Sequence, residues 1–165
     1  LYSSILERLD YDPLPFYEEP PESPVRTPEV AQEYPLILNT GGVYMPMFKS
    51  EFMQPELGRR KHPDPLMDIH PDTARGLGVN DGDWAYIETR RGRIKQRARY
   101  NDGILPDVVN CGANWWYPEI PPYEPCLSGV WESNANVLTL DDPEWCDELS
   151  GGWCTRALLC RVYPA

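Results

Sequence analysis

Two short stretches carry residue types whose spacing could do chemistry. In ESNANVLT, residues 132–139, Asn134 and Asn136 stand two apart, so in an extended chain both carboxamides would leave the backbone on one side. Each offers two N–H donors and an acceptor oxygen, a set that can match the mixed hydrogen-bonding edge of a heterocycle, as a charged side chain cannot. The plainer reading is that Ser133 or Asn134 caps a following turn. In YPLILNTGG, residues 34–42, an apolar run stops in a small polar turn made of Asn39, Thr40, Gly41 and Gly42. Such a turn at a strand end can aim successive backbone N–H groups into a concavity, and glycine lets a ligand approach with no Cβ in the way. Taken alone, the stretch reads equally as an ordinary glycine loop.

Other chemistry is poorly supplied. The five cysteines, Cys111, Cys126, Cys146, Cys154 and Cys160, are irregularly spaced with no CxxC pair, and the two histidines, His62 and His70, lie far from them. A structural zinc site therefore has little support, and small reduced core thiols are the simpler expectation. A thiol or acidic hydrolase needs a nucleophile beside a base, which two distant histidines do not readily provide. The net charge of −11 argues against general nucleic-acid binding, which needs a basic surface. Yet Arg90, Arg91, Arg93, Lys95, Arg97 and Arg99 fall within ten positions, and Arg59, Arg60 and Lys61 form a second group. Two readings stand: a solvated hairpin face, or a docking surface for an acidic neighbour or an anionic cofactor.

The elements that must position these residues are mostly short strands. PLIL, residues 35–38, reads as a buried strand leading into the glycine turn. PLMDI, residues 65–69, is a second strand, and His70, Pro71 and Asp72 open a short helix that Gly78 closes. Turn residues 80–83 precede a strand at 84–89, a tight turn at Arg90, Arg91 and Gly92, and a returning strand at 93–100. In that returning strand Ile94, Gln96, Ala98 and Tyr100 alternate with Arg93, Lys95, Arg97 and Arg99, so the basic set shares one face. ILPDVVNCG supplies a further short strand and TRALLCRV a terminal one. Residues 43–65 read as a long loop with a partly buried face, and residues 114–139 are rich in aromatics and prolines with no regular period. Short strands, one small helix and long irregular connections suggest a closed barrel.

The 165 residues, 41% hydrophobic and 25% charged, suit one globular domain, and no apolar run approaches the roughly 20 residues that span a bilayer. Residues 1–33 differ in composition, with six prolines and eight acidic residues. After a helical start at SSILERL, extended polyproline-like chain is expected there. The division expected is an arm or linker at 1–33 and the barrel domain at 34–165. The opening at Leu1 has no basic flank or apolar segment of signal-peptide length, and reads as a cut within a longer chain.

Together, YPLILNTGG, the segment MDIHPDTARGLGVNDGDWAYIETRRGRIKQRARYNDGILPDVV and the later ESNANVLT resemble the C-terminal domain of the molybdopterin-guanine-dinucleotide oxidoreductases of the dimethyl sulfoxide reductase family. The likeness spans residues 34–164, and LYSSILERLDYDPLPFYEEP is similar to the linker that precedes this domain. It implies a mainly β fold, a six-stranded double-psi β-barrel with short helices and long irregular loops, which closes over the pterin and dinucleotide of the cofactor. By the same resemblance Thr40, Gly41, Gly42, Ser50, Glu51, Asn134 and Asn136 are expected to bind the cofactor. The cofactor implied is molybdopterin guanine dinucleotide (bis-MGD) with molybdenum or tungsten, held by the full-length enzyme and not by this fragment alone.

Two departures are visible: Gly42 stands where many relatives carry arginine, and Lys49 where histidine is frequent. Trp115, Trp116, Tyr117, Pro118 and Glu119 resemble an aromatic segment of some members, which could line a funnel, seal against another domain or pack a core. That segment and GVWESNANVLT lean toward a branch containing polysulfide and thiosulfate reductases and acetylene-hydratase-like proteins. No residue matches the family's metal ligand or iron–sulfur motif, so the fragment is expected to be inert by itself. The implied partners are the remaining domains of the same chain and an iron–sulfur electron-transfer subunit, with neither nucleic acid nor a membrane span. The alternative is a stand-alone double-psi barrel acting as a protein-binding module.

Overall fold

The computed structural model describes residues 2–42, 56–147 and 149–165. Six strands form a closed barrel: β1 (Leu36–Gly42), β2 (Leu66–Ile69), β3 (Trp84–Glu88), β4 (Arg93–Tyr100), β5 (Val108–Gly112) and β6 (Arg156–Pro164). Around the barrel they run in the order β1, β5, β2, β4, β3, β6. The pairs β1–β5 and β2–β4 are parallel and the remaining four antiparallel. The expected mainly β, six-stranded barrel is what the chain forms.

Alternation sets which side of each strand is buried. In β4, Ile94, Gln96 and Ala98 are buried, while Arg93, Lys95, Arg97 and Arg99 face outward. Ile94 and Ala98 meet Ala85 and Ile87 of β3, Met67 and Ile69 of β2, Val109 and Cys111 of β5, Leu38 of β1, and Leu158, Cys160 and Val162 of β6 in one core. Burying a leucine- or isoleucine-sized side chain contributes about 1.5–3 kcal/mol, so this inner face is what holds the barrel closed. None of the five cysteines forms a disulfide, and Cys111 and Cys160 are buried. Loss of hydration pushes the Cys111 thiol up to about 12, which keeps it an inert core group.

Helices are short: α1 (Ser4–Arg8), α2 (Pro28–Glu33), α3 (Glu56–Lys61), α4 (Pro71–Gly76) and α5 (Val130–Ser133). In α4, Pro71 opens the first turn and the His70 ring nitrogen Nδ1 accepts from the Asp72 N–H, a capping bond that satisfies one orphan donor. The N-terminal segment, residues 2–33, is not extended throughout. Pro28 sits where its missing N–H costs nothing, and α2 follows. Within the expected 43–65 loop, residues 43–55 lie outside the described residues, and α3 is a helix the irregular pattern did not suggest.

The basic outward face is not simply solvated. Arg97 pairs with Asp64 at 2.7 Å and Arg99 with Asp68 at 2.6 Å, and Arg93 lies over the Tyr86 ring at 4.7 Å. Arg91, in the β3–β4 turn, meets Glu22 at 2.6 Å, and that carboxylate is 3% exposed. One acidic neighbour of the basic hairpin is therefore the chain's own N-terminal segment, which also places Arg26 over Trp145 at 5.1 Å.

Candidate cofactor-binding rim

The strand directions divide the barrel into two rims. The C-terminal ends of β1, β3 and β5 and the N-terminal ends of β2, β4 and β6 share one of them. The connections leaving β1 and β5, residues 43–65 and 113–155, and the tight turn 89–92 therefore all start and finish there. The opposite rim carries the shorter connections, residues 70–83 and 101–107, with the entry to β1 and the end of β6.

At the busy rim β1 does not turn away at Asn39 as expected. It continues as strand through Gly42, with Thr40 paired to Cys111 and Gly42 to Gly112, so that Gly41 is an extra, bulged residue. Gly41 has φ +117°, a conformation glycine adopts without the strain a Cβ would bring. Thr40 is buried, and its hydroxyl donates to the carbonyl of Thr155, tying β1 to the segment that enters β6. Its proton is thus engaged within the protein.

Asn134 and Asn136 lie on the 113–155 connection and are not extended in series. Asn134 precedes a 3₁₀ turn, Ala135–Leu138, and its Oδ1 accepts from the Asn136 N–H at 3.0 Å. Its Nδ2 donates to the Trp115 carbonyl at 2.9 Å. Asn134 is therefore a cap, because a 3₁₀ start leaves N–H groups that a short carboxamide satisfies locally. That same cap fixes the turn on which Asn136 stands exposed, its carboxamide unpartnered among the described residues.

The two halves of the rim are joined by a residue that sequence reading passed over. Gln96, fully buried on the inner face of β4, donates through Nε2 to the carbonyls of Gly112 (2.9 Å) and Ser133 (3.1 Å). Its Oε1 accepts from the Gly112 N–H at 3.0 Å. Gly112 faces Gly42 across β1–β5, and Ser133 immediately precedes Asn134. The available signal was a lone polar residue in an otherwise apolar alternation. Ser133 is itself held, donating to the Lys95 carbonyl at 2.8 Å and meeting the Tyr117 hydroxyl at 2.8 Å. Burial raises the pKa of that phenol above its ordinary value.

The aromatic segment also packs here. Trp115 is buried, and Arg59 of α3 stacks over Trp115 at 5.0 Å and Tyr117 at 5.7 Å while pairing with Glu119 at 2.5 Å. Of the alternatives for this segment, Trp115 takes the packing one. Of the seven expected cofactor-binding residues, Thr40, Gly41, Gly42, Asn134 and Asn136 share this rim. Ser50 and Glu51 lie outside the described residues.

Beside Gly41 an open pocket of about 420 Å³ is lined by Asn39, Thr40, Gly41, Ile104, Val108, Asn110 and Arg156. A pterin dinucleotide offers ring acceptors and phosphate oxygens. Exposed carboxamides, a guanidinium and a glycine bulge with open space beside it are a donor set that fits such a group.

Residues 36–156 match the family model described as "Molydopterin dinucleotide binding domain". Acetylene hydratase of Syntrophotalea acetylenica is 37% identical over 97% of this chain and 23% of its own length. Dopamine dehydroxylase of Eggerthella lenta is 40% identical over 92% of this chain and 14% of its own length. Among solved structures, acetylene hydratase from Pelobacter acetylenicus superposes with a TM-score of 0.90 at 35% identity, covering 99% of this chain and 23% of that one. The chain thus spans less than a quarter of the proteins it resembles here. It belongs to the molybdopterin dinucleotide-binding domain family, and corresponds to the C-terminal domain of enzymes of the dimethyl sulfoxide reductase family.

Proposed function

We propose that this chain closes over a molybdopterin guanine dinucleotide in the catalytic subunit of an oxidoreductase, gripping the cofactor with neutral dipoles from the busy rim. The observation that carries this reading is the convergence there of the bulged Gly41, the free Asn136 carboxamide and the Gln96 bridge between their supports. When bound, the cofactor supplies two-electron chemistry at molybdenum or tungsten. The residues described here orient it and exclude water from it. Gly41 admits the ligand to the backbone, Asn136 presents both donor and acceptor, and Asn134, through its cap, holds Asn136 in place. Catalysis itself lies with the cofactor and the other domains, so the 165-residue chain alone neither retains cofactor nor turns over substrate. The remaining domains of the subunit and an iron–sulfur electron-transfer subunit are the partners this reading requires.

Replacing Asn136 by alanine in the full-length subunit tests it. The expected result is a several-fold loss of bound molybdopterin and metal in the purified enzyme, with an unchanged unfolding midpoint. Full metal and pterin content in that variant would remove Asn136 from the site.

A further inference from the structure

The first 33 residues carry eight acidic side chains, and Glu22 alone among them is buried. A carboxylate taken out of water is costly unless a cation and hydrogen bonds replace its hydration. Here both oxygens are engaged. Arg91 donates to Oε1 at 2.6 Å and to Oε2 at 3.4 Å, and the Arg90 guanidinium lies 3.7 Å from Oε1. Two-point pairing of this kind fixes direction as well as distance. The turn that presents Glu22 is braced from within. The Ser23 hydroxyl accepts from the N–H groups of Val25 and Arg26, while the Thr27 hydroxyl accepts from the Ser23 N–H and donates to the Ser23 carbonyl. Serine and threonine close local turns in this way, so Glu22 and Arg26 are held in fixed relation.

What Glu22 grips is the tight turn at 89–92, and that turn is pressed against the 3₁₀ turn Ala135–Leu138. The buried Thr89 hydroxyl donates to the Leu138 carbonyl at 3.1 Å and accepts from the Arg91 N–H at 3.3 Å. One hydroxyl thus joins the backbone of the residue that holds Glu22 to the end of the turn that carries Asn136. Gly92 makes the second contact. A Cβ there would lie 3.0 Å from Val137 Cγ1 and 3.2 Å from the Val137 carbonyl oxygen, so the two turns meet without room for a side chain. Further along the same connection the Arg26 guanidinium lies over the Trp145 ring at 5.1 Å, an attraction of cation to ring face. Val137 and Trp145 both pack on the barrel core. The braced turn at 22–27 therefore reaches the 135–145 stretch at both ends, through the 89–92 turn at one and directly at the other.

We propose that Glu22 is a positioning residue: it straps the N-terminal segment across the 89–92 turn and, through Thr89 and Gly92, sets the turn that presents Asn136. A buried ion pair adds little net stability over apolar packing, yet it disfavours every arrangement that leaves either charge unpaired. The strap therefore selects one placement of the 135–145 stretch instead of merely adding adhesion. That the turn so placed faces the cofactor rests on the reading above; the strap itself does not.

Amide hydrogen exchange of the 165-residue chain, read by mass spectrometry, tests this. Glu22→Gln keeps the shape of the side chain and removes its charge. Exchange should quicken roughly tenfold over residues 23–27 and roughly threefold over 135–145, with 66–69 and 94–98 unchanged. Arg91→Gln should do the same, and the double variant should be no looser than either single one, because each change removes the same contact. Thr89→Val, which cuts the relay beyond Arg91, should loosen 135–140 while 23–27 stays protected. Quickening confined to 23–27, or spread evenly through the barrel strands, overturns the positioning role, as do additive effects in the double variant. In the full-length subunit Glu22→Gln should also lose bound molybdopterin, though less than Asn136→Ala does; full content in Glu22→Gln beside a loss in Asn136→Ala overturns the link between strap and site. If Glu22→Gln loosens 135–145 while Asn136→Ala keeps full cofactor, the strap stands and the cofactor reading fails. If Asn136→Ala loses cofactor while Glu22→Gln leaves 135–145 as protected as in the parent chain, the cofactor reading stands and the strap falls.

Discussion

The two rims of the barrel are held by different means. At the rim carrying residues 70–83 and 101–107, the turns close within a few residues, as Asn80 N–H to Asp83 and Gly103 N–H to Asn101, with longer ties such as the Tyr100 hydroxyl to the Val79 carbonyl added outside the core. At the other rim, polar side chains reach the backbone of residues far away in sequence, as Thr40 does to Thr155, Thr89 to Leu138, Gln96 to Gly112 and Ser133, and Asn134 to Trp115. Local turns can be specified by a handful of adjacent residues. A long connection without regular structure has backbone groups that no neighbour satisfies, so it needs buried side chains to supply the missing partners. The rim proposed to meet the cofactor is thus the one whose long connection leans on buried polar side chains.

The sharpest break of this contrast is Gln96→Leu. It leaves the Gly112 N–H and the Gly112 and Ser133 carbonyls without their side-chain partner, and each stranded buried group costs about 1–3 kcal/mol. A loss of about 3 kcal/mol in urea unfolding is expected, with hydrogen exchange rising through residues 113–140 and little changed at 70–83. A loss below about 1 kcal/mol would mean that the long connection holds itself. The matching change at the opposite rim is Thr73→Val, which removes the 2.5 Å bond from the Thr73 hydroxyl to the Pro106 carbonyl. That exposed bond is worth about 0.5–1 kcal/mol, and exchange should rise only nearby.

The smallest effect concerns pH. Glu88, at the upper end of β3, accepts from Arg161 at 2.8 Å and from the Tyr163 hydroxyl at 2.5 Å, and these bonds hold its pKa below the ordinary carboxylate value. Because the folded-state value is the depressed one, its stabilisation is complete above the unfolded value of about 4.3. It is lost as pH falls through the folded one. Glu88→Gln should flatten the acid side of the stability profile below about pH 5. An unchanged slope there would show that Arg161 is equally served by Glu33, 3.3 Å away.

What could be read from sequence follows the same division. Period-two alternation placed β3 and β4 and the buried face of Ile94 and Ala98, because a strand buried on one side must write its environment every second residue. The helix opening at His70 and Pro71 was legible through its early proline and closing Gly78, while the His70 cap was not. The bulges were not: Gly41 looked like a turn residue, and nothing marks Ala157 as the extra residue between the Leu38–Leu158 and Asn39–Arg156 pairs. Asn134 and Asn136 were singled out by type and spacing, but the assumption of extended chain failed where Asn134 could satisfy an N–H two residues on. Asn39 and Asn110 become a pair only through the parallel β1–β5 contact, which joins segments some seventy positions apart.

Closure of the sheet has a consequence for how this chain can meet anything else. Each strand has a neighbour on both sides, so the barrel offers no edge onto which a foreign strand could be added. Contacts with surrounding protein must be made by side chains and connecting segments, which can diverge residue by residue while the ladder stays intact. The same absence of a template protects against cross-β association, so overproduction of the chain by itself is not expected to yield fibrils built by edge-to-edge growth.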